Sequence, residues 1–156
     1  MNAKEFAIAA HGEQKYGDLP YSYHLEKVAE ALERFGYNDP ELISAAWLHD
    51  VVEDTDTTIE EVRKEFGDRV AELVFAVTNE PGINRKERHS KTYIKIKKLS
   101  DAIVLKLADR IANTESSIET KSKLLGMYKK EFPHFKEALK GTQALEMWDY
   151  LESISK

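Results

Sequence analysis

Apolar residues recur along this 156-residue chain at the spacing of helices. Phe6, Ala9 and Ala10 gather on one side of residues 2 to 11. Val28, Leu32 and Phe35 follow at i, i+4 and i+7, the stripe of an amphipathic helix. "GYNDPEL" ends that helix and starts the next, with Asp39 placed to cap it and Pro40 at its first position. Ile43 to Leu48 is an apolar run that reads as the buried part of a helix. Thr58 and Glu61 stand at capping-box spacing before a short helix ending near Phe66 and Gly67. Val70, Leu73, Val74 and Val77 mark another stripe within Asp68 to Thr78. "NEPGINRKER" is the most loop-like stretch, and the basic run "RKERHSKTYIKIKK" continues from it as helix. Ser100 is placed to cap a helix through about Ser117, and Lys121 to Lys130 and Pro133 to Ile154 supply two more. No stretch alternates with period two between turn signals. The pattern predicts an all-α fold of eight or nine helices, a single domain over residues 1–156.

Composition narrows the chemistry. With 42% hydrophobic and 33% charged residues, the chain has the make-up of an ordinary soluble globular protein. No run of about 18 apolar residues marks a membrane span. The N-terminus "MNAKEFAIAAHGE" lacks the apolar core and cleavage site of a signal peptide, so the expected compartment is the cytoplasm. Zero cysteines remove disulfides and thiolate metal sites, so any metal must sit on nitrogen and oxygen. The formal charge of −5 argues against a nucleic-acid binder. It leaves room for a small phosphorylated substrate, which needs only a local basic pocket. These residues fix no oligomeric state.

The candidate chemistry begins in "WLHDVVEDTDTT", where a histidine and several carboxylates follow the buried run. Burying such charges is costly unless a partner or a metal compensates them. On one helix, His49, Asp50, Glu53 and Asp54 would share a face. "KLADRIAN" puts Asp109 and Asn113 one turn apart on a second helix, and His24 opens a third after "GDLPYSYH". Two histidines and two carboxylates make a nitrogen/oxygen site suited to Mn, Fe, Co or Zn. Each residue also has a bland reading: His24 as a satisfied core histidine, "EDTDTTIEE" as a solvated acidic turn, Asp109 with Arg110 as a surface ion pair. The bland readings must all hold together to dismiss the joint pattern. His11, His89 and His134 are read as structural, and Trp47 and Trp148 as core or interface aromatics.

The order His24, His49-Asp50, Asp109 resembles the H…HD…D signature of the HD-domain metal-dependent phosphohydrolases. More narrowly, "AHGEQKYGDLPYSYH", "AAWLHDVVEDTDTTIEEVRKEFGDRVAELVFAVT" and "VLKLADRIAN" resemble the hydrolase domain of RelA/SpoT homologues. The resemblance covers roughly residues 6 to 117. The "HDxxEDT" run is its most specific part, and the lack of a following synthetase domain points to the stand-alone small alarmone hydrolases. It implies an all-α HD fold and removal of the 3′-pyrophosphate of the alarmone ppGpp. It implies one Mn²⁺ held by His24, His49, Asp50 and Asp109, with Glu53 and Asp54 as catalytic carboxylates. It further implies substrate contacts from Lys15, Arg85, Asn113, Ser116 and Tyr128.

The chain departs from the family pattern at two places. Lys15 stands where the family usually has an arginine that packs on guanine, and lysine keeps the charge but loses the flat fork. Leu25 replaces a proline that often follows the first metal histidine. Two other readings compete with the alarmone hydrolase: an HD nucleotidase acting on another nucleotide phosphate, and a non-catalytic nucleotide-binding protein with a degenerate pocket. The complete H…HDxxED…D set weighs against the second. Two-metal HD phosphodiesterases supply further histidines between the HD pair and the last aspartate. Only His89 lies in that interval here, which favours a single ion.

Overall fold

The computed structural model describes residues Met1 to Lys156. After α1 (Ala3–His11) comes a hairpin of two-residue strands, β1 (Lys15–Tyr16) and β2 (Leu19–Pro20). Then follow α2 (Tyr21–Arg34), α3 (Pro40–Leu48), α4 (Val51–Asp54), α5 (Ile59–Phe66), α6 (Asp68–Val77), α7 (Arg85–Lys97), α8 (Ser100–Glu119), α9 (Leu124–Leu139) and α10 (Leu145–Ile154). Since α4 is a single turn, nine helices of full length remain, and the all-α expectation holds. No helix is long and apolar enough to cross a membrane.

Two helix starts form as their sequences dictate. The Asp39 carboxylate accepts the Glu41 N–H at 3.1 Å and caps α3, with Pro40 at the first position. The Thr58 hydroxyl accepts the Glu61 N–H at 3.2 Å and caps α5. Elsewhere packing overrides the local signal. Ser100 is the first residue of α8 rather than its cap; Leu99 holds that position without a side-chain bond. The buried face of α1 is Ala3, Ala7 and His11, and Ala9 is exposed. The hairpin is too short to leave a period-two signature. Gly17 makes its tight turn at φ +61°, a left-handed conformation that disfavours a Cβ.

Pro133 sits inside α9 instead of opening a new helix. An interior proline costs about 3 kcal/mol. Against that, Phe132, Phe135 and Leu139 are all buried, and full burial of such a side chain contributes about 1.5–3 kcal/mol. Three buried residues outweigh one proline, so the helix runs through. The break falls instead at Lys140 to Ala144, where Ala144 has φ +56°.

One contiguous core of 35 buried apolar residues joins these helices. Its axis is α8, with twelve of 20 residues buried and with α2, α3, α6, α7, α9 and α10 packed around it. Trp148 on α10 packs on Phe135 of α9 and seals the C-terminal end. The arrangement brings α2, the α3–α4 junction, α7 and α9 around the middle of α8. Asp109, Arg110 and Asn113 stand there.

Candidate active site

The sequence reading runs one helix through His49, Asp50, Glu53 and Asp54, and the structure breaks it. α3 stops at Leu48, Asp50 takes φ −106° and ψ 2°, and α4 starts afresh at Val51. In an unbroken helix the Ala46 carbonyl would accept the Asp50 N–H. Here His49 takes it, through Nδ1 at 2.7 Å and its backbone N–H at 3.5 Å. A carbonyl only accepts, so Nδ1 carries a proton, which leaves Nε2 as the atom that can give up its proton and turn a lone pair on a cation. That Nε2 is buried and has no hydrogen-bond partner.

Around it the donor atoms converge. Nitrogen and oxygen atoms of His24, His49 and Asp109 lie within 4.8 Å of one another. His24 Nε2 is 3.0 Å and His49 Nε2 3.3 Å from Asp109 Oδ1. Asp50 Oδ2 completes the group at 3.0 Å from His49 Nε2 and 3.8 Å from His24 Nε2. A mixed set of imidazoles and carboxylates with an orphaned, buried ring nitrogen fits a divalent transition ion. Neighbouring groups hold the donors in place. Tyr21 Oη donates to Asp50 Oδ2 at 2.6 Å, Tyr16 stacks on His24, and His49 is fixed by Ala46. Burial and the Asp50 carboxylate together raise the Tyr21 pKa, so its hydroxyl stays a donor.

Charge balance in this cluster is tight. Burial would raise the Asp50 carboxyl, but the His49 ring outweighs it and brings the pKa to about 2. Burial likewise opposes ionisation of Asp109, and Lys106 with His49 drives its pKa well below the ordinary value. Burial lowers His49, yet Asp50 and Asp109 reverse that and raise it well above its usual range. The two carboxylates thus call for positive charge between them, which a proton or a cation can supply.

A cleft of about 230 Å³ opens over this cluster. Asp50, His24 and Asp109 line it with Glu53; Arg85, His89, Lys106, Arg110 and Tyr128 line the remainder. Arg85 Nε and Arg110 Nη1 share the Glu131 carboxylate at 2.6 and 3.2 Å, and Lys106 Nζ meets Asp109 Oδ2 at 3.0 Å. Burial and the neighbouring Lys106, Arg85 and Arg110 lower the His89 pKa to about 3, so this ring is neutral beside three cations. Burial raises the Glu53 pKa, opposed by the Asn79 N–H donating to Glu53 Oε1 at 2.7 Å.

The structure brings His24, His49, Asp50, Asp109, Glu53, Arg85, Asn113 and Tyr128 to this one place. Asn113 is already engaged: its Oδ1 accepts from Tyr16 Oη at 2.7 Å and its Nδ2 donates to Asp109 Oδ1 at 3.3 Å. Asp54 lies outside the cleft lining, its Oδ2 accepting from Gln14 Nε2 at 3.1 Å. Lys15 is exposed on β1, also outside the lining, and Ser116 faces a separate groove with Lys27 and Arg34. Asp109 and Arg110 do not form the surface pair of the bland reading: both are buried and each has another partner. Sequence reasoning also missed Tyr16, Tyr21, His89, Lys106 and Arg110. A signal existed for Arg110. Residues 103, 107, 110, 114 and 117 form a buried stripe at alternating spacings of four and three, and a charge within such a stripe marks a paired interior group.

Comparison with known proteins agrees with this geometry. The family described as HD domain matches residues 3–131. The chain is 45% identical over 123 residues to the guanosine-3′,5′-bis(diphosphate) 3′-pyrophosphohydrolase of Aquifex aeolicus, covering 74% of this chain and 17% of that protein. It is 40% identical over 118 residues to the zebrafish (Danio rerio) enzyme of that name called MESH1, covering 72% of this chain and 66% of the relative. The chain thus spans a sixth of the first relative's length and just under two thirds of the second's. A solved structure described as a metazoan ortholog of SpoT that hydrolyzes ppGpp superposes with a TM-score of 0.79. It is 28% identical, with 97% of this chain and 90% of that one covered. A Listeria monocytogenes structure follows at 0.71 and 27% identity, covering 88% of this chain and 94% of that one. With four fifths of its length matched by the family model, the chain belongs to the HD domain family.

Proposed function

We propose that this chain, acting as a single domain over residues 1–156, is a metal-dependent phosphohydrolase. In this reading it removes the 3′-pyrophosphate of ppGpp to give GDP and pyrophosphate. One observation carries the reading: a donor set fit for a divalent cation and three cationic side chains line one cleft together. A pyrophosphate group needs both. The names of the relatives supply the nucleotide.

His24, His49, Asp50 and Asp109 would hold the ion, for which we propose Mn²⁺. Such a cation supplies Lewis acidity, offsetting phosphoryl charge and making water a stronger acid. The protein's own groups do the rest. Tyr21 and Ala46 keep Asp50 and His49 aimed inward. Glu53, with its pKa raised by burial, accepts the proton of the attacking water, and Asp54 beside it is the second carboxylate that orients that water. Arg85, Lys106 and Arg110 meet the pyrophosphate oxygens, an electrostatic and positioning role of the kind phosphoryl transfer requires. For Arg85 this means exchanging the Glu131 carboxylate for phosphate, since both are bidentate acceptors. Neutral His89 can donate without adding charge.

Lys15 favours a second reading. Its exposed place outside the cleft leaves the guanine ring without the arginine platform of the family pattern, as expected of an HD nucleotidase with another substrate. Metal-reconstituted protein should be incubated with ppGpp and a panel of nucleoside mono-, di- and triphosphates, and products identified by anion-exchange chromatography. GDP and pyrophosphate from ppGpp are expected. Turnover of a nucleoside monophosphate with ppGpp left intact would transfer the assignment to the nucleotidase.

A further inference from the structure

His11 is buried at the end of α1 with no part in the chemistry above, and it lies outside the cleft. Its ring lies flat on Tyr21, with centroids 4.7 Å apart and planes 28° apart, and Tyr21 is the residue that bonds Asp50. Its Nδ1 is 2.8 Å from Gln14 Oε1, while Gln14 Nε2 donates to Asp54 Oδ2 at 3.1 Å. The direction of every bond in this chain is fixed from its far end. An ionised carboxylate only accepts, so Gln14 must turn its NH₂ to Asp54 and its carbonyl to His11. A carbonyl only accepts, so His11 Nδ1 must carry the proton. His11 Nε2 is buried without a partner, as suits a bare ring nitrogen better than a second N–H.

We infer that His11 is a positioning residue: through Gln14 it sets the orientation of Asp54, and through its face it steadies Tyr21 and hence Asp50. One buried ring thereby links a proposed metal ligand to a carboxylate that the cleft lining omits. The inference rests on the reading of Asp54 as a group that serves the chemistry. It explains how Asp54, exposed on a four-residue turn, can keep one orientation. Without the relay, the free rotation of an exposed aspartate spreads its oxygens over several rotamers, which costs alignment at the reacting water.

The test compares His11→Leu, His11→Asn and Gln14→Leu. Asparagine is chosen because its amide N–H can replace the Nδ1 donor, whereas leucine fills space alone. With Mn²⁺ and ppGpp, His11→Leu and Gln14→Leu should each lower kcat about ten-fold, the usual effect of losing such a support. KM and metal stoichiometry should stay near wild type. His11→Asn should recover most of the lost kcat, and the double variant His11→Leu/Gln14→Leu should be no slower than either single one. Equal loss in His11→Leu and His11→Asn, or additive losses in the double variant, would overturn the relay. A second measurement is independent of the substrate. Long-range proton–nitrogen NMR of the wild-type rings at about pH 8.5, above the ordinary histidine range, should show the His11 proton on Nδ1. In Gln14→Leu that preference should weaken. An Nε2–H tautomer overturns the inference even if ppGpp is turned over, and an Nδ1–H tautomer sustains it if ppGpp proves the wrong substrate.

Discussion

On one wall of the cleft, two imidazoles and two carboxylates converge from α2, the α3–α4 junction and α8. A second wall, Arg85, Lys106 and Arg110 from α7 and α8, adjoins it, with Lys106 touching Asp109. The first wall leaves a buried nitrogen of His49 without a partner. The second is already paired from within, Arg85 and Arg110 sharing Glu131 and Lys106 meeting Asp109 Oδ2. The difference separates two kinds of binding. In the proposed function the first wall is completed by an ion added from outside, and losing a donor there would remove the ion's seat. The second gives up an internal partner when an anion arrives, so losing a cation there weakens an exchange without abolishing it.

Removal of a donor is therefore the largest expected effect. Asp109→Ala should lower affinity for Mn²⁺ at least about a hundred-fold and abolish turnover, since it removes the oxygen shared by both histidines. Isothermal titration with the metal checks this, and a wild-type titration in the variant would break the first half of the comparison. Glu53→Gln keeps all four donors and should retain the metal while lowering kcat about a hundred-fold or more. A variant with full kcat would return Glu53 to its structural bond with Asn79.

On the cationic wall, Arg85→Met should raise KM about ten-fold with a smaller change in kcat, as expected from one lost charge-assisted contact. Glu131→Gln should move KM the other way, because it removes the competitor for Arg85. Opposite shifts of the pair would sharpen the exchange picture; parallel shifts would make Glu131 a support rather than a competitor. The smallest effect concerns stability. The His89 pKa of about 3 lies below the 6.5 of an unperturbed ring, so the unfolded chain takes up that proton first. Its contribution is fully present above about pH 6.5 and is lost as the pH falls toward 3. In urea unfolding at about pH 7.5 and pH 5, His89→Gln should lose less stability than wild type across the interval. Equal losses would show that Lys106, Arg85 and Arg110 do not bear on this ring as described.

The same division governs what could be read from the residues in order. His24, His49, Asp50 and Asp109 were legible because each sits in a short run whose local spacing carries the message. Of the cationic wall only Arg85 was named, through the family resemblance; Lys106 and Arg110 gain their place in the cleft only once α7 and α9 pack on α8. The helix caps at Asp39 and Thr58 form as their sequences say, since capping is a matter of three residues. Pro133 misled for the opposite reason. Its local signal is strong, and only the burial of Phe132, Phe135 and Leu139 overrides it. Asp54 illustrates a third case. The helical wheel places it beside Glu53 over the ion, but the break at His49 gives α4 its own direction and leaves Asp54 with Gln14.

That break has a consequence for how the ion is captured. Consecutive side chains of a continuous helix project about 100° apart. By ending α3 at the histidine, the chain turns His49 and Asp50 into a two-toothed chelate, with Nε2 and Oδ2 already 3.0 Å apart. Half of the proposed ligand set would thus be preassembled by covalent neighbourhood, and only His24 and Asp109 depend on helices packing from elsewhere in the chain. A metal ion can be held first by this local pair and then locked as α2 and α8 close around it. The last step of capture and the last step of folding at this site become one event, so the ion should slow amide hydrogen exchange most in the middle of α2 and α8.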